Sequence, residues 1–75
     1  MKKYRDYLFR IAEVEGGDFE DVAGEQFAVE IWSNGNDKDD EEEAMSIAES
    51  NFPGEWIFEG EVDPYLVEMY GIDTY

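Results

Sequence analysis

From residue 11 to residue 75 the chain carries twenty acidic side chains and one base, Lys38. Any compact form must hold those charges close together, and their mutual repulsion works against folding. Such a chain either stays unfolded or finds an apolar core strong enough to offset the repulsion. An apolar fraction of 43% and an aromatic fraction of 16%, Trp32 and Trp56 included, decide for a folded domain. Disordered acidic segments are poor in aromatics. At 75 residues the domain is single. A chain of this size buries only about 60% of its unfolded surface, so the core is small. Salt screens the repulsion, and the melting temperature is expected to rise as NaCl is added from near zero. A thermal melt series in which it fell monotonically would refute this.

The other four bases, Lys2, Lys3, Arg5 and Arg10, lie in the first ten residues beside one acid, Asp6. That gives a local charge of +3 against −19 for the remainder, −16 overall. The acidity therefore belongs to the body of the domain and is not a detachable tail. A chain this acidic repels nucleic acid and anionic membrane surfaces, so direct binding to either is not expected.

With no Cys and no His, disulfides, the usual zinc sites and every Ser-His or Cys-His arrangement are excluded. There is no G-x-G-x-x-G and no phosphate loop. Among 21 acids some pair always lies close, so carboxylate pairs carry no catalytic signal. The expectation is a protein without catalytic residues, cofactor or resident metal. The acidic run from Asp37 to Glu43 also fails as a calcium loop: counted from Asp37, position six is Glu42 where Gly is needed, and position twelve is Ala48 where Glu is needed. No apolar run approaches the length of a membrane span. Met1-Lys2-Lys3 is followed by Arg5 and Asp6 and does not read as a secretory leader, which points to the cytoplasm.

Periodicity outlines the elements. Tyr4 to Val14 reads as a strand, with Tyr7, Phe9 and Ile11 at period two, ended by Gly16-Gly17. A polar loop follows, in which Phe19 and Val22 can tuck onto the core. Gln26 to Ser33 is a second strand, with Phe27, Val29 and Ile31 on one face and Ala28, Glu30 and Trp32 on the other. Asn34-Gly35-Asn36 is a turn. Asn36 or Asp37 caps a helix over 37–51 whose apolar stripe is Ala44, Met45, Ile47 and Ala48, with Phe52 just beyond. Glu55 to Val62 is a third strand, with Trp56, Phe58, Gly60 and Val62 on one face and Ile57, Glu59 and Glu61 on the other. Asp63-Pro64 opens a short helix that ends near Tyr70, before Gly71. The class is α+β, ordered β-β-α-β-α. A three-stranded sheet of order 2-1-3 is expected, with the main helix on one face. One conflict stands out. If Phe9 and Ile11 face the core, alternation sends Glu13 and Glu15 the same way, which requires either a strand that outruns the core or a bulge.

The first-turn acids Asp37, Asp39 and Asp40 complement the helix dipole, each by about 0.3–1 kcal/mol. Glu42 and Glu43 lie beyond that benefit, and a run of acids with no Lys four residues on is repulsive. The excess asks for another cause. The candidate contact residues are Asp37, Asp39, Asp40, Glu42, Glu43 and Glu49 on the helix, Glu13, Glu15, Asp18, Glu20 and Asp21 around the first loop, and Trp32, which falls out of phase with the core residues of its strand. Reversal of Asp40, Glu42 and Glu43 to Lys is expected to abolish binding and leave the fold intact. Arg10, amid acids, reads as a cross-strand ion pair with Glu30 or Glu59 on the outer sheet face.

A folded chain of this mass exposes about 4,700 Å². Spread evenly, sixteen charges give about one per 300 Å², against about one per 100 Å² on the DNA cylinder. Gathered on one half they reach about one per 150 Å², within a factor of two of DNA. In size, acidity, aromatic core and α+β plan the chain resembles small phage-type inhibitors that imitate DNA, the anti-CRISPR and anti-restriction proteins. The resemblance is compositional and spans the whole chain. That class shares no motif, so no residue is carried over from it. It implies a partner that is a basic nucleic-acid-binding protein or complex, with carboxylates standing where phosphates would. The alternatives are an immunity protein or antitoxin that neutralises a cognate nuclease, and a salt-adapted domain whose acidity is solvation.

Overall fold

Alternation over the first strand, β1 (Tyr4–Ile11), sends Tyr7, Phe9 and Ile11 into the core and leaves Leu8 and Arg10 on the other face. The computed structural model describes residues 3–75, so Lys2 of the basic N-terminal group lies outside the described residues. β1 is central. It pairs antiparallel with β2 (Gln26–Trp32) on one side and with β3 (Trp56–Val62) on the other. The fold is α+β with one main helix, α1 (Asp37–Asn51), and one short helix, α2 (Pro64–Met69). The sheet has four strands rather than three: β4 (Asp73–Thr74) pairs parallel with β2, giving the order β3-β1-β2-β4. Two residues carry no periodicity, so β4 has no signature of its own in the chain.

The first strand ends earlier than its expected limit at Val14. Beyond Ile11 the backbone turns to other partners: the Ile11 and Ala12 amides donate to Glu25 O and Glu55 O, each at 2.9 Å. Glu13 and Glu15 thereby leave the sheet and are exposed. The bulge lies in β3 instead. Leu8 pairs with Gly60 and Phe9 with Phe58, so Glu59 is the extra residue. Gly60, at φ +114°, takes a backbone conformation that L side chains rarely adopt. The bulge shifts the phase of the strand end. Glu61 comes opposite Tyr7, on the core-facing side, and Val62 comes opposite Asp6 on the outer side. This corrects the expected assignment of faces for Gly60, Glu61 and Val62.

α1 begins at Asn36, whose side chain accepts the Asp39 amide at 3.1 Å. It packs on the sheet through Ala44 and Ala48, both fully buried, with Met45 and Ile47 beside them and Phe52 just past its end. Phe9 is the hub of the core, its ring 5.2 Å from Phe27, 5.3 Å from Phe58 and 5.6 Å from Trp56. The loop after β1 closes onto this core through Phe19 and Val22. Its backbone is pinned by the buried Glu55, whose carboxylate accepts the Asp18 amide at 3.1 Å. A Cβ on Gly17 would collide with that carboxylate, so any larger residue there displaces Glu55 from the loop amides. α2 starts at Asp63, which accepts the Tyr65 amide at 2.8 Å, and its one buried residue is Val67. No helix among the described residues is long and apolar enough to cross a membrane.

Candidate acidic binding surface

Residues three and four apart share a helix face. On α1 this places Asp39, Glu42, Glu43 and Glu49 along the solvent side, interrupted only by Ser46, and all are exposed. From Asp39 to Glu49 the axis rises about 15 Å, so these carboxylates fall at about one per 4–5 Å, against one phosphate per about 3.4 Å along a DNA strand. Glu49 is also positioned: it accepts the Trp56 indole N–H at 2.8 Å and the Gly54 amide at 3.1 Å. The indole, then the amide, hold its carboxyl below the ordinary value.

The second group is at the opposite end of α1 from its N-cap. Glu13, Glu15, Asp18, Glu20 and Asp21 are all exposed on the loop between β1 and β2. Phe19 packs edge-on against Phe52 at 4.9 Å, which seats this loop against the C-terminal end of α1. The Glu20 carboxylate accepts the Gly16 amide, which holds one of these acids in place. Glu13, Val14, Glu15, Glu20 and Ala23 line an open depression there. The loop cluster thus lies at the same end of α1 as Glu49.

Three of the candidate residues stand elsewhere. Asp40 is only 1% exposed, so it is withdrawn from any contact surface. Its carboxylate accepts the Ser33 hydroxyl at 2.6 Å, the Asn34 amide at 3.3 Å and Arg5 Nη1 at 2.8 Å. These donors, Ser33 first, hold it below its ordinary value. The expectation that Asp40→Lys leaves the fold intact is corrected accordingly, because the reversal would bury a cation beside Arg5. Asp37 is exposed but accepts from the same guanidinium at 2.7 Å. Trp32 is 50% exposed on the outer face of the sheet, edge-on to Tyr4 at 4.6 Å. The structure does not bring it together with the acids of α1.

Arg5 is the residue that sequence reasoning missed. It is in phase with Tyr7, Phe9 and Ile11, and an ionisable side chain in that phase was the available signal. It joins three elements: β1, the first turn of α1 through Asp37 and Asp40, and β3 through two bonds to Glu61 of 2.7 and 2.9 Å. Glu61 reaches it because of the bulge at Glu59-Gly60. Arg10 behaves as expected. It donates to Glu59 at 3.2 Å across the outer face, and also to Gly24 O at 2.9 Å. Both arginines are thus spent inside the molecule. Among the described residues, Lys3 and Lys38 are the exposed bases outside any ion pair. The net charge of −16 over 4934 Å² is one per about 310 Å² on average, but the exposed share is biased toward α1 and the first loop. Comparison with protein-family models, curated proteins and solved structures finds no match to this chain.

Proposed function

We propose that this domain is a nucleic-acid mimic, an inhibitor that occupies the nucleic-acid-binding site of a basic defence protein such as a CRISPR effector or restriction enzyme. The observation that carries the reading is the exposed row Asp39, Glu42, Glu43 and Glu49, whose linear charge density approaches that of a DNA strand. Further exposed acids lie on the first loop, at the Glu49 end of α1, and the row is not neutralised by the arginines, which are engaged internally. Association would be fast, steered and strongly salt-dependent.

The test is capture of candidate nucleases and effector complexes at low salt, with a charge-matched acidic protein as control. One complex retained beyond the control, and released by its own DNA or RNA, supports mimicry. Retention equal to the control refutes it. The triple reversal Asp39→Lys, Glu42→Lys, Glu43→Lys keeps Asp40 and the Arg5 contacts, so it should stay folded and lose at least about tenfold in affinity through like-charge contact with the partner. Unchanged affinity in the folded triple variant removes α1 from the interface.

A second reading, an immunity protein for one cognate nuclease, is favoured by the exposed Trp32–Tyr4 pair, since exposed aromatics are frequent anchors of dedicated interfaces. Under it, Trp32→Ala weakens binding more than the triple reversal does.

A further inference from the structure

On the sheet face opposite α1, residues 63–75 cross from β3 to the free edge of β2. They run through α2 and form β4. They are anchored at one end, where the Tyr75 ring sits edge-on to Phe27 and Phe52 at 5.6 and 5.5 Å, and are held lightly elsewhere. Val67 is the one buried residue of α2, while Tyr65, Leu66, Met69 and Tyr70 are exposed. At β2 the segment is tied by the short pairing with β4 and by two bonds of Tyr75, from its amide to Ala28 O at 2.9 Å and from the Glu30 amide to its carbonyl at 3.0 Å.

Beneath this crossing lies Asp6, 3% exposed, with a buried Oδ1 that has no hydrogen-bond partner among the described residues. Asp6 stands directly opposite Glu30 across the β1–β2 pair. Among the described residues, the elements packed around it supply no cation. β2 presents Glu30, α2 presents Glu68, β3 presents Val62, and the segment 71–74 presents Gly71, Ile72 and Thr74. The Asp63 carboxylate is engaged as the cap of α2. Arg5 serves its three carboxylates from the other face, and Arg10 is held by Glu59 and Gly24. A buried carboxylate facing a second carboxylate, with no cation, is strongly unfavourable, whereas one carboxyl donating its proton to the other satisfies both.

We propose that Asp6 and Glu30 share one proton, and that this proton closes residues 63–75 over the sheet as a strap that loosens when pH rises. The proton stays on the buried Asp6 carboxyl, which donates it in a hydrogen bond to an oxygen of the exposed Glu30. Burial first, and then the nearness of Glu30, push the Asp6 carboxyl above its ordinary value. A value raised in the closed form means that the closed form binds the proton more tightly. Closure is therefore complete below the ordinary carboxyl value of 3.8 and is lost as pH rises through the raised one. Opening bares the outer edge of β2 from Phe27 to Glu30, an edge suited to pairing with another strand.

Native-state hydrogen exchange, corrected for intrinsic rates, tests this. The Tyr75 and Glu30 amides report the strap, and the Ala12 amide, bonded to Glu55 O away from it, reports the rest of the domain. Opening at Tyr75 should increase by up to about tenfold per pH unit above the raised value, over and above any change at Ala12. Asp6→Asn, uncharged and matched in shape, should abolish that excess and keep the strap closed at pH 7. Glu42→Gln, which removes an equal charge from α1, should leave it intact. If Asp6→Asn does not fold, Glu30→Gln gives the same reading. No excess slope in the wild type, or a slope that persists in the variant, overturns the proposal.

Discussion

Arg5→Met should lower the melting temperature by roughly 10–20 °C, because it leaves Asp40 a buried carboxylate without its cation. The methionine stem replaces the aliphatic part of Arg5, which is itself only 14% exposed, so the loss is one of charge pairing and not of packing. Three elements lose their common partner together: β1, the first turn of α1, and the end of β3 that the bulge turns inward. Arg5→Lys should rescue only part of the loss, since a single ammonium cannot reproduce the paired bonds to Glu61 while reaching Asp37 and Asp40. The same cluster predicts the acid limit of the fold. Glu61 is held below its ordinary value by Arg5, and Asp40 by Ser33, Asn34 and Arg5. Carboxyls depressed in the folded state contribute stability that is present above their ordinary values, 4.5 and 3.8, and is lost as pH falls through the depressed ones. Thermal melts from pH 5 down to pH 2 should show this loss in the wild type and a shallower one in Arg5→Met. Equal melting temperatures for the two proteins at pH 7 would show that the cluster is stabilised by other means.

Phe9→Ala is the second large effect, at about 3–5 kcal/mol. Phe9 is fully buried on the central strand, and its ring meets those of Phe27, Phe58 and Trp56, so the cavity is walled by rings from both strands that flank β1. A domain of this length has about 4–11 kcal/mol of stability in total. The loss is about half of the middle of that range, so the urea midpoint of the variant is expected to fall to about half of the wild-type value. Phe9→Leu, which retains most of the volume, should lose less than half as much. A urea titration that found Phe9→Ala within about 1 kcal/mol of the wild type would place the main core elsewhere.

The strength of these two sites was unequally visible in the chain. Phe9 follows directly from its period-two spacing with Tyr7 and Ile11, which is a local property. So do the bounds of α1, set by Asn36 at one end and by Asn51 to Gly54 at the other, and the start of α2 at Asp63-Pro64. The pairing of Arg10 with Glu59 was legible because both are out of phase with the core of their strands. The row of exposed acids on α1 was legible too, since helical spacing alone puts Asp39, Glu42, Glu43 and Glu49 away from Ala44 and Ala48.

What periodicity could not reach was the fate of each individual carboxylate. Asp39 and Asp40 are neighbours of the same chemistry, yet one faces water and the other is sealed beneath Ser33 and Arg5. Glu61 changes face because one residue is inserted in the β1–β3 register, and Asp6 is buried because residues from the far end of the chain cross over it. β4 exists only because β2 offers a free edge for two residues to join. Spacing and turn chemistry act over a few residues and so outlined the strands, the helices and the charge of the surface. The placement of a charge depends on which distant elements arrive beside it. Pairing register and chain crossing settle that, and they exist only once the whole domain has assembled.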